Sequence, residues 1–203
     1  MCTRFFIDKA EDEIAHMIGL AEGTPLMKRF IEAGDPLTAG GEVRPTDVVP
    51  VIAPDRKGKA AVYPMKWGFT VREHSLLFNA RSESAASKPT FRELWNSHRC
   101  VIPASYYFEW KHYKDQGGKD RVGKKYTIQP VDSDITWLCG LYRIENDLPV
   151  FVVLTRDAVG ELAEIHDRMP VIVPKKMVGD WVRPENDPSA MMRNTITDGL
   201  IMI

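Results

Sequence analysis

Arg99-Cys100-Val101-Ile102-Pro103-Ala104-Ser105-Tyr106-Tyr107-Phe108-Glu109-Trp110-Lys111 is the stretch that decides how this chain folds. β-Branched, aromatic and other apolar residues fill both ends, and small residues separate them, so it reads as two consecutive strands over 99–103 and 106–111. In the second strand, alternation puts Tyr106, Phe108 and Trp110 on one face and Tyr107, Glu109 and Lys111 on the other. The same texture, punctuated by turn residues, recurs at 48–53, 61–66, 126–129, 137–143 and 150–155. Helical signals flank these strands. Asp8 and Glu11 resemble a capping box, Ile14, Met17, Ile18 and Ala21 follow at helical spacing, and Gly23 stops the run. Thr24-Pro25 opens a second short helix that ends at Gly34. Segments 90–97 and 158–165 and those around Met177 and Met191 supply the later helices. The expected fold is α+β, a curled, mostly antiparallel, barrel-like β-sheet with flanking helices, with residues 1–203 forming one domain.

Composition narrows the function classes. The 44% apolar and 27% charged fractions suit a soluble protein, and no apolar run approaches the ~20 residues of a membrane helix. The first residues lack the basic, apolar and small-residue pattern of a secretory signal, so the expected location is the cytoplasm. Cys2, Cys100 and Cys139 form no CxxC pair and are odd in number, which argues against a disulfide framework and a structural zinc site; reduced thiols and no metal are expected. With a formal net charge of −1, nucleic-acid binding requires a local basic patch. Lys111, Lys114, Lys119, Arg121, Lys124 and Lys125, against Asp115 and Asp120 and broken by Gly117, Gly118 and Gly123, read as a basic hairpin tip. It is either a solvated loop or a grip on a phosphate backbone.

Four places carry candidate chemistry. If Met1 is removed, Cys2 offers an α-amine and a thiol on one carbon skeleton, able to trap an aldehyde first as an imine and then as a five-membered thiazolidine. These groups titrate near ~8 and ~8.5, so both are partly nucleophilic at neutral pH. A chance cysteine in a first strand is the alternative. Glu109, set among aromatics, is a candidate general acid/base, or else an exposed strand carboxylate paired with Lys111. In Ile165-His166-Asp167-Arg168-Met169-Pro170, an imidazole, a carboxylate and a guanidinium adjoin a proline that forces the chain out of a helix; a capping pair is the plainer reading. In Phe78-Asn79-Ala80-Arg81-Ser82-Glu83, Asn79 could hold a carbonyl or aldehyde oxygen and Arg81 could grip a phosphate, or the segment is a polar loop.

Taken together, these segments resemble the SRAP family, the SOS-response-associated peptidase domain whose members crosslink to abasic sites in single-stranded DNA. The resemblance rests on Met1-Cys2, Trp67-Gly68-Phe69, Asn79-Ala80-Arg81-Ser82-Glu83, Arg99 to Lys111, and Ile165 to Pro170, in the family's order. It implies that Cys2 is the nucleophile, Asn79 orients the reactive centre, Glu109 shuttles protons during ring formation, and His166 assists ring opening. It also implies that Arg81 and Arg168 bind phosphates, with Arg4 a further candidate by its nearness to Cys2 and Trp67 a candidate surface for base stacking. The implied partner is single-stranded DNA containing abasic sites, with no cofactor and with association with the nucleoid when bound to DNA; the sequence leaves the oligomeric state open, a monomer being the default expectation, and no membrane partner is expected. Thr3 stands where the family usually has Gly, and Glu42-Val43-Arg44-Pro45-Thr46 replaces its Arg-Tyr-Asn-x-Ala-Pro segment. Trp67-Gly68-Phe69 also lacks the usual following Pro and Trp. Two other readings are an N-terminal-nucleophile thiol peptidase, whose action could be limited to self-removal of Met1, and a non-catalytic module for single strands or modified bases.

Overall fold

The computed structural model describes residues 3–72 and 75–203, with the backbone alone at Arg72. Its strands in chain order are β1 (Phe5–Ile7), β2 (Gly41–Val43), β3 (Val48–Pro54), β4 (Ala60–Trp67), β5 (Phe69–Arg72), β6 (Ser75–Leu77), β7 (Asn79–Arg81) and β8 (Arg99–Ala104). There follow β9 (Tyr106–Lys114), β10 (Asp120–Pro130), β11 (Thr136–Glu145), β12 (Leu148–Asp157), β13 (Arg168–Pro170), β14 (Ile172–Val173) and β15 (Leu200–Met202). The helices are α1 (Asp12–Glu22), α2 (Pro25–Glu32), α3 (Ser82–Ala85), α4 (Arg92–Ser97), α5 (Val178–Val182) and α6 (Pro188–Met191), with short 3₁₀ turns between the later elements.

Each strand expected from alternation is present. Their pairing supplies what the sequence left open: β12–β4–β3–β8–β11 returns to β12 and closes a five-strand ring. Closure leaves these strands no free edge along the ring. β12 pairs in parallel with β4 through Val150 and Phe151, then with β7 from Val153 to Thr155. The other pairings are antiparallel, so the expected α+β, mostly antiparallel, barrel-like architecture stands. Gly140 permits the tight closure: a Cβ there would lie 2.7 Å from the Val152 carbonyl oxygen and 2.9 Å from the Cys100 Sγ.

The quoted stretch changes sheet at Ser105. β8 belongs to the barrel, whereas β9 lies in a second sheet of order β15–β10–β9–β1–β2. The buried Ser105 corner is pinned from both sides: its N–H donates to the Phe6 carbonyl at 2.8 Å, its hydroxyl accepts from Asp8 N–H at 2.8 Å, and its carbonyl accepts from the Thr136 hydroxyl at 3.2 Å. At the start of β8, Arg99 is fully buried. Its guanidinium donates to the carbonyls of Trp95, Asn96, Trp181, Arg183 and Asn186, which lie in and just after α4 and α5. A cation there complements the unsatisfied carbonyls of two helix ends.

α1 buries Ile14, Met17, Ile18 and Ala21, the face expected from its spacing, against β3 and β4. The capping box does not form: Asp8 Oδ1 instead accepts from Ala10 N–H at 3.0 Å, and Glu11 takes the N-cap position without a side-chain bond. Helix 158–165 is shorter and tighter than expected, a 3₁₀ turn over Gly160–Glu164. The Ala158 N–H to Asp167 carbonyl bond at 3.0 Å closes the loop before a longer helix could fit.

Candidate active site

β9 carries Glu109 into the interior, where it is only 4% exposed. Its backbone pairs with Tyr126 of β10, while the neighbouring Phe108 N–H donates to the Arg4 carbonyl at 3.0 Å, which brings the N-terminal segment alongside. Burial pushes the Glu109 carboxyl above the ordinary glutamate range, because the anion loses its hydration. Farther along β9, the His112 N–H donates to the Ile165 carbonyl at 3.1 Å, tying the strand to the loop that bears His166. The His112 and His166 rings meet edge-on, 5.0 Å between centroids. His166 Nδ1 accepts from the Arg168 N–H at 3.0 Å in one tautomer, and in the other donates to Asp167 Oδ1 at 2.7 Å. Burial lowers the His166 pKa, so the neutral imidazole is favoured near neutrality.

These groups converge on a pocket of about 620 Å³ lined by Arg4, Arg81, Glu109, His112, His166 and Arg168, among others. Thr3 lines it too, and Cys2 is its covalent neighbour; Cys2 itself lies outside the described residues. The three arginines differ. Arg168 is 6% exposed and donates to both Glu83 carboxylate oxygens, at 3.0 and 2.8 Å, and to Asp157. Arg4 pairs with Glu42, whose carboxylate also accepts from Lys125 at 3.0 Å, and that hydrogen bond helps hold the Glu42 pKa down. Arg81 is exposed at the end of β7 and has no ion-pair partner or side-chain hydrogen bond among the described residues. Asn79 lies two residues back on the same face of β7, buried, and outside the described lining of the pocket.

Two expectations need correction. Trp67 is fully buried: its Nε1–H donates to the Phe78 carbonyl at 2.9 Å and its ring stacks on Phe151 with centroids 6.0 Å apart. No base can reach that ring, so Trp67 is barrel core and not a stacking surface. Arg168 lines the pocket, but its commitment to Glu83 and Asp157 makes it a brace between β13, β12 and α3 instead of a free phosphate ligand. Gly68, after Trp67, has φ +126° and donates its N–H to the Phe151 carbonyl at 2.7 Å, which explains the glycine in that motif.

Sequence reading missed Trp110 and His112 as pocket residues. Alternation puts both on the face opposite Glu109, but the β9–β10 register shifts between Val122 and Lys125, and such a bulge adds local twist. The result is that Glu109, His112 and His166 each bring a possible ligand atom within 4.8 Å of the others, although no metal ligands were expected. Lys125 sits 3.5 Å above the centre of the Phe108 ring, so part of the basic hairpin is spent covering apolar surface.

A closed mixed barrel thus stands beside a pocket that combines a buried carboxyl, an imidazole whose pKa burial lowers and a guanidinium without an ion-pair partner among the described residues. The SOS response associated peptidase (SRAP) family matches residues 1–199, and the chain belongs to that family. Among curated relatives, the abasic site processing protein YobE of Bacillus subtilis is 36% identical over 118 residues, 55% of this chain and 52% of YobE. The match to YobE thus spans about half the length of that relative. The abasic site processing protein YoqW of the same organism is 27% identical over 204 residues, covering 93% of this chain and 83% of YoqW. A solved phage-related protein from Bordetella bronchiseptica shares the fold, with TM-score 0.73 and 21% identity over 100% of this chain and 93% of its own. No helix among the described residues is long and apolar enough to cross a membrane.

Proposed function

We propose that this chain is an abasic-site processing protein that captures the ring-opened sugar of an abasic site in single-stranded DNA. The α-amine of Cys2, exposed by loss of Met1, adds to the aldehyde carbon; loss of water gives the imine, and the thiol adds to the same carbon to close a thiazolidine. Glu109, whose pKa burial raises toward the range of proton exchange, donates the proton that lets hydroxide leave as water, and the resulting carboxylate receives the thiol proton. His166, whose pKa burial lowers, moves protons during opening of the sugar ring or reversal of the adduct. Arg81 holds the flanking phosphate, and Asn79 orients the groups from behind it.

The observation that carries this reading is the convergence of Glu109, His166 and Arg81, which has no ion-pair partner among the described residues, on one pocket that Thr3, the neighbour of Cys2, also lines. The printed names of the curated relatives support the substrate class. Self-removal of Met1 by the same groups is a second reaction, supported by the peptidase designation of the family. The chain acts as one domain and a monomer in the cytoplasm; the first point is supported by a hydrophobic cluster that runs from Phe5 to Val182.

Intact mass before and after exposure to a glycosylase-treated, uracil-containing oligonucleotide tests the proposal. The expected product has lost Met1 and gained the mass of the strand less one water. Absence of a covalent species, or equal yield from Cys2→Ala, sinks it.

A further inference from the structure

The basic hairpin that joins β9 to β10 takes no part in the chemistry assigned to the pocket, yet it is an ordered ribbon and not a loose loop. Tyr113 pairs with Arg121 and Lys114 with Asp120, up to a closed turn. Within that turn Asp115 Oδ1 accepts from the Gly117 and Lys119 N–H groups at 2.9 and 3.0 Å, and its Oδ2 from Arg121 Nε at 2.8 Å. Asp115 thus neutralises Arg121, as Glu42 does Lys125. Lys111, Lys114, Lys119 and Lys124 are exposed and have no ion-pair partner among the described residues, and Asp120 is the carboxylate of the ribbon left against them.

The two faces of the ribbon differ. Glu109, Lys111 and Tyr113 alternate onto one face, with Arg121 across from Tyr113 and Tyr126 across from Glu109. At the register shift Gly123 and Lys124 together oppose Lys111, and Lys124 turns to the same face, its Nζ 4.7 Å over the centre of the Tyr126 ring. Tyr113 packs over Gly123, where a Cβ would lie 3.3 Å from its Cε1, and is still 50% exposed. The other face carries His112 and Val122 and sets Lys114 against Asp120. One face is therefore cationic and aromatic, the other close to neutral. The pocket reaches both at the root of the ribbon, through Glu109 on the first and Trp110, His112 and Val122 on the second.

We infer that the face bearing Lys111, Tyr113 and Lys124 is the platform along which a single strand of DNA continues beyond the pocket, the two lysines meeting phosphates and Tyr113 stacking on a base. Ammonium groups without carboxylate partners attract a polyanion, and an aromatic ring stacks on any base, so the contact is independent of sequence. A ribbon ordered by its own turn has little freedom left to lose on binding. From Glu109 to Lys114 the strand rises about 17 Å, the length of about five stacked nucleotides. The platform therefore serves the nucleotides on one side of the abasic residue. The inference rests on the function proposed above for the point where the strand leaves the pocket.

Affinity for a single strand bearing a stable abasic analogue is measured against salt in the Cys2→Ala background, with the flank on each side in turn lengthened from one nucleotide to about six. The parent is expected to tighten with length on one side only, up to about five nucleotides. Lys111→Gln combined with Lys124→Gln lowers the slope of log affinity against log salt by about 1.4, or 0.7 per phosphate contact, and flattens the length dependence; Lys114→Gln leaves both in place. Tyr113→Ala weakens binding at least about fivefold, and Tyr113→Phe restores it. Melting temperatures check that the variants fold, and the exposed lysine pair decides the matter even where Tyr113→Ala loosens the hairpin. A slope unmoved by the lysine pair, or lowered by about 0.7 by Lys114→Gln, overturns the platform. Single-strand binding that depends on the lysine pair, by a protein that never yields an adduct with Cys2 intact, overturns the proposed function and leaves the platform standing.

Discussion

Either side of Ser105, the chain buries charge to opposite ends. On the barrel side, Arg99 is sealed in and each of its nitrogens meets a carbonyl, so nothing remains for a ligand. On the open-sheet side, Glu109 is nearly as buried, yet it faces two imidazoles and a pocket. The same degree of burial is structural in one case and, in the function proposed above, chemical in the other; the difference is whether the group's neighbours are backbone carbonyls or titratable side chains. A buried charge whose partners are backbone carbonyls holds elements together. One whose neighbours can also titrate, beside open space, is available for reaction.

The largest effect that separates the two halves is on folding. Arg99→Met leaves the carbonyl ends of α4 and α5 unsatisfied and is expected to cost about 3–5 kcal/mol in urea denaturation. Loss of less than 1 kcal/mol would mean that the carbonyl cluster is hydrated and that the contrast drawn here is false. Glu109→Gln should do the reverse: adduct formation slows by about 10²-fold, while stability hardly moves, because glutamine keeps the volume and the neutral form that burial favours. Single-turnover gel assays paired with thermal melts read both quantities. Next in size is Gly140→Ala, whose Cβ would meet a backbone oxygen that cannot swing aside; about 1–3 kcal/mol of stability is lost, with catalytic rates unchanged in the folded fraction.

The barrel half was more legible in the sequence than the site half, for physical reasons. Alternation and turn residues report local backbone preference, and they located β3, β4, β8, β9, β11 and β12. Closure of the ring was suggested only as curling, since pairs such as Phe151 with Trp67 join residues far apart in the chain. Glu109 was legible as a carboxylate set among aromatics, and His166 as an imidazole beside a carboxylate and a guanidinium where Pro170 turns the chain out of a helix. Trp67 was misassigned because a tryptophan on a strand looks alike whether its face meets solvent or Phe151. His112 was missed for a subtler reason: strict alternation puts it on the face opposite Glu109, and the register shift beside it in β10 is not visible in the sequence. Capping signals misled at Asp8, where a local side-chain bond to Ala10 competes with the box.

The comparison sharpens furthest at two arginines that the sequence treated alike. Arg81 and Arg168 line one pocket, but Arg168 is ion-paired with Glu83 and Asp157, with only its Nε left unbonded, whereas Arg81 has no ion-pair partner among the described residues. On a single strand carrying a stable abasic analogue, with Cys2→Ala to prevent crosslinking, Arg81→Ala should reduce the slope of log affinity against log salt by about 0.7, the value for one phosphate contact on single strands. Its stability should stay within about 0.5 kcal/mol of the parent, because no protein partner is lost. Arg168→Ala should leave the salt slope in place and lower stability instead, since the Glu83 and Asp157 carboxylates then face each other without their shared cation. Equal slopes for the parent and Arg81→Ala, or a slope change confined to Arg168→Ala, would reverse the assignment and show that ion pairing within the protein does not decide which guanidinium meets the phosphate.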